Sequence, residues 1–257
     1  MKPGKLGARG LRRGPSGEMM TAITIVGLGP GPLPLLTKEA ESELLGAEKI
    51  FFRTSAHPAF DWLKKQGKHV VCFDKLYETP WKNPGDVYDF MVSALLKEAQ
   101  LSGKVTYALP GSPVFLEDTT RLLREGGKAA GVHVRVVHGL SFMEEALSRL
   151  NLDFADGLQI VLPWTHLETG RFTTQLHLLV TQIEAKRLPT DGVRVDLTME
   201  WLLKAYPPDH PVTLIWTDGL PEYKTQVRTL ALKNLAKEYG ESKFFSSLFV
   251  PANDAPA

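Results

Sequence analysis

Residues 25–32 read Ile-Val-Gly-Leu-Gly-Pro-Gly-Pro, and Leu35-Leu36-Thr37 follow shortly after. The apolar run over residues 22–26 predicts a buried strand, and Thr37 predicts the start of a helix. Between them, glycine lets the backbone take positive φ or pass close to a ligand, and proline stiffens the turn. Open α/β sheets bind ligands at such turns. We call residues 27–32 the first loop.

The first loop departs from the common nucleotide motifs. The dinucleotide fingerprint requires a third glycine where this chain has Pro32, and an acid about twenty residues further on. Residues 50–53 read Ile-Phe-Phe-Arg and contain no acid, and no Gly-Lys-Ser/Thr of a Walker A loop is present. An ordinary strand-to-helix turn remains the alternative for this loop when it is considered alone.

Two further loops of the same kind follow predicted strands. Pro110-Gly111-Ser112-Pro113 begins a second loop, residues 110–117, after the apolar run 104–108. His138-Gly139-Leu140-Ser141 forms a third loop, residues 138–141, after the run 132–137, although Ser141 could simply cap the next helix. Loops with small side chains offer backbone N–H and C=O groups to a ligand. The three loops together therefore predict one binding site.

Apolar runs alternate with helical patterns, which predicts two α/β domains. We expect a disordered basic tail over 1–19, an N-terminal domain over 20–152, a smaller C-terminal domain over 153–250, and a tail or linker over 251–257. A cleft between the domains is the expected ligand site. Strands are predicted at 22–26, 49–52, 69–73, 104–108, 132–137, 158–162, 176–182, 212–217 and 244–250, and helices from Thr37 and near 87–102, 141–150 and 197–205.

The three loops, in this order, resemble those of the tetrapyrrole methylase family, whose members methylate precorrins and uroporphyrinogen with S-adenosylmethionine. Family members begin with Val-Gly-x-Gly-Pro-Gly, as at 26–31, followed by Leu-Leu-Thr, as at 35–37. The resemblance covers about residues 20–250. It implies a two-domain fold with a parallel-sheet N-terminal domain and a mixed α/β C-terminal domain, a homodimer, and S-adenosylmethionine as cofactor.

By position in the family motifs, the resemblance implies cofactor contacts from all three loops and from the C-terminal domain, many of them through backbone atoms. The implied residues are Gly29, Pro30, Pro110, Gly111, Ser112, Phe115, Ser141, Phe142, Ile183, Thr217, Asp218 and Gly219. No catalytic residue is assigned, because methyl transfer from a sulfonium to an electron-rich carbon needs chiefly alignment of the reactants and exclusion of water.

Residues 53–58 read Arg-Thr-Ser-Ala-His-Pro where relatives acting on uroporphyrinogen carry an aspartate. This segment resembles a subgroup in which a methylase-like domain precedes a MazG-type nucleotide pyrophosphohydrolase. Arg53 is suited to bind an anionic group of the acceptor and His57 to orient a polar one. Arg53→Ala would then weaken acceptor binding and leave cofactor affinity nearly intact. Alternatively, Arg53 forms a structural ion pair and His57 is a loop residue before a rigid turn.

Methyl transfer to a tetrapyrrole is the favoured activity. The alternatives are a methyltransferase acting on a peptide or RNA, and a non-catalytic regulatory domain that binds S-adenosylmethionine or a nucleotide in a MazG-type system. A small-molecule substrate and a MazG-type partner are expected, and a metal site is not. The formal net charge of +1 argues against nucleic acid. Without a long apolar run or signal peptide, the expected location is the cytoplasm, away from membranes.

Overall fold

The computed structural model describes residues 21–83, 85–153, 155, 157–185, 192–217, 225–239 and 246–253. The chain divides into two compact units between Phe142 and Met143. This division comes earlier in the chain than the boundary expected after residue 152. The predicted tail at 1–19 lies outside the described residues, as do residues 254–257 of the predicted C-terminal tail.

A parallel five-stranded sheet forms the centre of the first unit, with strand order β3-β2-β4-β1-β5. Each strand lies within one residue of its predicted bounds at both ends, because short runs of β-branched and aromatic residues bounded by turns suit a buried strand. The strands are β1 (Ala22–Gly27), β2 (Lys49–Phe52), β3 (His69–Cys72), β4 (Lys104–Leu109) and β5 (His133–Val137).

Apolar clusters cover both faces of this sheet. One contains Ile23, Val105 and Leu95, and the other contains Val26, Ile50 and Leu44. Four helices connect the strands, which is the usual arrangement for a parallel sheet buried on both faces. They are α1 (Lys38–Gly46), α2 (Pro58–Lys65), α3 (Asp86–Ser102) and α4 (Asp118–Ala130).

The helical spacing of the apolar residues from Val87 to Leu95 predicts one buried face for α3, and this is largely confirmed. Val87, Met91 and Leu95 are fully buried, as their helical spacing indicated. Phe90, which the same spacing placed in the core, is 51% exposed and contacts Trp81 at 5.9 Å between ring centroids. The width of a buried stripe depends on how closely neighbouring elements approach, and this is not visible in the spacing.

Sequence analysis did not predict α4, because Gly126 and Gly127 at its centre reduce helix propensity. The structure shows why a residue without a side chain stands there. A Cβ at Gly127 would lie 2.6 Å from a Val134 methyl and 2.9 Å from the Val132 carbonyl oxygen. Gly127 therefore allows α4 to pack closely against the strand that follows it.

The second unit contains a mixed sheet with strand order β6-β7-β10-β8-β9. The first pair is parallel, and the remaining neighbours are antiparallel. The strand β9 was not predicted from the sequence. The elements are α5 (Phe142–Leu150), which starts at the division, β6 (Leu158–Val161), β7 (His177–Thr181), α6 (Val195–Leu202), β8 (Pro211–Thr217), β9 (Thr225–Ala231), α7 (Leu235–Tyr239) and β10 (Ser247–Val250).

Candidate functional site

The three predicted loops meet at the carboxyl edge of the first sheet. Gly29 N–H donates to the Gly111 carbonyl at 3.2 Å, and Gly111 N–H donates back to the Gly29 carbonyl at 2.7 Å. Thr37 caps α1 by accepting a hydrogen bond from Ala40 N–H at 3.1 Å, and its hydroxyl donates to the His138 carbonyl at 3.2 Å. The first loop is thus bonded to the second, and the helix that follows it is bonded to the third.

Two glycines in this edge are required by contacts between the loops themselves. A Cβ on Gly27 would lie 2.6 Å from Gly139 N and 2.8 Å from the Gly111 carbonyl oxygen. A Cβ on Gly139 would lie 2.6 Å from that same Gly111 oxygen. Real Cβ contacts are longer, so neither position accepts a side chain without moving backbone.

Gly111 differs from these two glycines. Its φ is +73°, and a Cβ built on it would meet nothing beyond its chain neighbours within 4 Å. The backbone here faces open space, whereas Gly27 and Gly139 face other backbone. A ligand brought against the second loop at Gly111 would meet peptide groups without an intervening side chain.

The other predicted contacts in the first unit lie on the same three loops. Pro30, Pro110 and Ser112 are half-buried, and Ser141 is buried. Phe115 of the second loop contacts Phe142 edge to face, with ring centroids 5.6 Å apart. Residues chosen from separate motifs are therefore brought together by the fold, while their contacts with a cofactor stay predictions.

The structure says less about the cofactor contacts predicted in the second unit. Ile183 is fully buried in the apolar core of that unit, and its carbonyl accepts a hydrogen bond from the Thr198 hydroxyl at 2.8 Å. Thr217 is the last residue of β8. Asp218 and Gly219 lie outside the described residues. Their roles also stay predictions.

Arg53 follows β2 and forms an ion pair with Glu117 at the end of the second loop. The side chains are 20% and 7% exposed, respectively. Arg53 Nε donates to the Tyr77 hydroxyl at 2.9 Å, and its guanidinium lies 5.2 Å from the ring centroid of Tyr88. Desolvation lowers the pKa of Arg53, but Glu117 and the neighbouring tyrosines raise it well above its ordinary value. Of the two alternatives for Arg53, this geometry favours the structural ion pair.

His57 is 3% exposed and caps α2, its Nδ1 accepting from Ala59 N–H at 3.2 Å. Because Nδ1 accepts, the proton of the neutral ring lies on Nε2. Nε2 has no partner at full hydrogen-bond geometry, although the Gly29 carbonyl is near enough to affect it. Desolvation lowers the pKa of His57 to about 4, against a weaker raising effect of that carbonyl. His57 is therefore a buried, neutral cap beside the first loop.

Sequence analysis missed the importance of Glu117 and Tyr77. Glu117 Oε1 accepts hydrogen bonds from Thr119 N–H at 3.1 Å and from the Thr119 hydroxyl at 2.5 Å. These bonds cap α4. Helix starts are signalled by Ser, Thr, Asp or Asn at the cap, so glutamate at 117 gave no such signal in the sequence. No sequence pattern linked Tyr77 to Arg53, because the fold alone brings them together.

Within the ranges that the structure describes, no group of three or more His, Cys, Asp or Glu side chains is placed to hold a metal ion. None of the helices in the same ranges has the length and apolar character needed to cross a bilayer.

Comparison with known proteins extends these findings. Among curated proteins, the chain is 31% identical over 229 residues to YabN of Bacillus subtilis (strain 168), and the match covers 86% of this chain and 45% of YabN. It is 24% identical over 232 residues to a methyltransferase/type III borosin cyclic peptide precursor of Anomoporia bombycina, covering 86% of this chain and 26% of that protein. The chain thus spans less than half the length of either relative.

The fold of this chain is also similar to those of solved structures. It matches uroporphyrin-III C-methyltransferase from Thermus thermophilus with a TM-score of 0.65 at 20% identity, covering 91% of this chain and 93% of that one. A structure of the Thermus protein complexed with S-adenosylhomocysteine matches with a TM-score of 0.61 at 19% identity, covering 89% and 97%. At this identity the likeness shows the fold.

A family model described as tetrapyrrole (corrin/porphyrin) methylases matches residues 22–233. The match starts at β1, contains all three glycine loops and continues through β9, so it includes most of both units. The match agrees with the two-domain α/β fold. The three loops that it includes are those that lie together at the carboxyl edge of the first sheet. This chain therefore belongs to the tetrapyrrole methylase family.

Proposed function

We propose that this chain is an S-adenosylmethionine-dependent methyltransferase that binds its cofactor at the carboxyl edge of the first sheet. The observation that carries the proposal is the mutual contact of the first, second and third loops, with Gly29 and Gly111 exchanging two hydrogen bonds. The Thermus relative complexed with S-adenosylhomocysteine supports the identity of the cofactor.

The residues present fit this cofactor. Gly111 offers peptide backbone to a ligand with no side chain in between, and Phe115 of the second loop provides aromatic surface together with Phe142. When bound, the cofactor supplies an electrophilic methyl group on a positively charged sulfur. The loops bind and orient it, and their small or apolar side chains exclude water from the reacting centre. Alignment of this kind accounts for much of the rate gain in group transfer.

We further propose a tetrapyrrole as the acceptor. Family membership and the fold shared with uroporphyrin-III C-methyltransferase support this choice. A peptide acceptor is the second candidate, because one relative is a methyltransferase joined to a cyclic peptide precursor. The ion pair of Arg53 with Glu117 means that an acceptor carboxylate would have to compete with Glu117 for that guanidinium.

The experiment has two arms. Calorimetry with S-adenosylmethionine and S-adenosylhomocysteine measures binding to the purified chain. Incubation with methyl-labelled S-adenosylmethionine then tests uroporphyrinogen III, unmodified peptides and RNA as acceptors. We expect binding of both nucleosides and label transfer to the tetrapyrrole. Transfer to peptide alone would select the second candidate, and binding without any transfer would favour a regulatory domain. Failure to bind either nucleoside would refute the proposal.

A further inference from the structure

A largely buried ion pair connects the segment after β2 with the end of the second loop. Each partner of the pair also makes a second hydrogen bond. Arg53 donates to the Tyr77 hydroxyl, and Glu117 accepts from Thr119 N–H. Burying two charges is costly, and replacing such a pair with apolar residues is often neutral or stabilising. We therefore expect the pair, which lies beside the candidate site, to have a role other than stabilising the fold.

The ion pair attaches the second loop at residue 117, at the opposite end from the hydrogen bonds between Gly29 and Gly111. At residue 111 the loop is bonded to the first loop through Gly29. At residue 117 it is bonded to Arg53, whose own backbone N–H donates to the Ala108 carbonyl at 2.9 Å. The loop is thus attached to the sheet edge at both ends, and the residues between them are the predicted cofactor contacts Ser112 and Phe115.

The backbone next to Glu117 is strained. Leu116 has φ of +52°, a conformation that a bulky residue rarely adopts. Leu116 is 44% exposed, so core packing does not hold it in place. Strained residues persist where their surroundings determine the conformation, and such positions cluster at ligand sites. The ion pair of Glu117 with Arg53 lies at the next residue along the chain.

We propose that the Arg53–Glu117 pair is a positioning device that sets the conformation of the second loop and thereby the affinity for S-adenosylmethionine. This inference rests on the proposed function. Arg53 and Glu117 act through the loop and do not contact the cofactor. The acceptor-facing role of Arg53 makes the opposite prediction, namely that its loss leaves cofactor affinity unchanged.

The test measures S-adenosylhomocysteine affinity by calorimetry, well below the unfolding temperature. Arg53→Met and Glu117→Gln should each weaken binding at least tenfold. The double variant should bind no more weakly than the weaker single variant, because the pair acts as a unit. Arg53→Lys, which retains the cation but not the planar group bonded to Tyr77, should bind with intermediate affinity. Glu117→Gln keeps an amide oxygen that can cap α4, so it decides the question if Arg53→Met does not fold.

Lys49→Met is the matched control. Lys49 begins the same strand, β2, and pairs with Glu98 at 2.9 Å, with side chains 34% and 26% exposed. This control removes an ion pair at the opposite end of the strand and should leave affinity within twofold of the wild type. Hydrogen exchange at residues 111–119 should accelerate in Arg53→Met and not in Lys49→Met.

The outcomes separate the two proposals. A wild-type chain that does not bind S-adenosylhomocysteine refutes the proposed function. A wild type that binds, with folded Arg53→Met and Glu117→Gln variants of unchanged affinity, refutes the positioning role alone. Equal weakening by Lys49→Met also refutes it, because the effect would then follow from general loss of stability.

Discussion

Gly139 lies where the three loops contact one another, and this contact leaves no room for a side chain. A Cβ there would lie 2.6 Å from backbone atoms of both Gly27 and Gly111, and backbone cannot rotate away as a flexible side chain can. A Cβ added at Gly46, in the last turn of α1, would meet nothing within 4 Å. The same substitution at the two positions therefore has opposite consequences.

We expect Gly139→Ala to lower the free energy of unfolding by about 3 kcal/mol, the upper part of the range for overpacking. Gly46→Ala should instead raise it slightly, because alanine has a better helix propensity. Urea denaturation at neutral pH measures both. A Gly139→Ala variant as stable as wild type would show that the loops do not pack as closely as described.

Gly111 supports a different prediction, because it faces open space. Gly111→Val should weaken S-adenosylmethionine binding at least tenfold, about 1.4 kcal/mol, by filling space that the ligand needs. Valine at a φ of +73° is also strained, which calls for a control with the same defect. Gly67, with φ of +74° and nothing within 4 Å, provides it.

Gly67→Val should therefore lose similar stability while retaining wild-type affinity in calorimetry. Unchanged affinity in a folded Gly111→Val variant would contradict the assignment of the second loop. Equal weakening in both variants would attribute the effect to backbone strain.

At the scale of elements, α2 depends on a titratable cap. His57 accepts from Ala59 N–H through Nδ1, which only the neutral ring can do, and Pro58 occupies the first turn where its missing N–H costs nothing. Protonating the ring would remove this bond and place a charge in a buried position. The start of α2 is therefore sensitive to acid.

The sign of this effect follows from the pKa of His57, which falls from its ordinary 6.5 to about 4 on folding. Between these values the unfolded chain binds more protons, so stability is full above about pH 6.5 and falls towards pH 4. The loss amounts to about 3 kcal/mol if the whole shift is realised. Urea denaturation across this range should show it.

His57→Asn should flatten this dependence, because asparagine caps a helix without titrating. His138→Asn, which replaces an exposed histidine of the third loop, should leave the dependence unchanged. A wild-type chain whose stability is flat from pH 6.5 to 4.5 would show that His57 is not buried and neutral.

The family match over residues 22–233 includes most of both units. At the scale of the whole molecule, we expect a ligand that binds the folded chain to stabilise it against unfolding. S-adenosylhomocysteine at about one hundred times its Kd should raise the free energy of unfolding by about 2.7 kcal/mol. Thermal unfolding with and without ligand measures this. Gly111→Val should show a smaller shift than Gly67→Val at the same ligand concentration, and equal shifts would contradict the site.

The sequence by itself determined the parallel strands and the three loops of the first unit. Strand periodicity and glycine-proline turns are local properties, readable within a few residues, and the order of the loops identified the family. The same local rules missed α4, because Gly127 is selected by contacts with Val134 of β5 and with Val132 just before that strand. They also missed β9, whose pairing with β8 stabilises it.

Only the tertiary structure decided the partners of the segment after β2. Arg53 is separated from Glu117 by 64 residues and from Tyr77 by 24, and no periodicity connects them. From the sequence, Arg53 was equally suited to bind an acceptor or a carboxylate of the protein. The choice depended on which strand ends lie side by side, since the order β3-β2-β4 places the residues after β2 between those after its neighbours. A charged side chain buried at that edge then pairs with the nearest carboxylate, because leaving it unpaired would cost several kcal/mol.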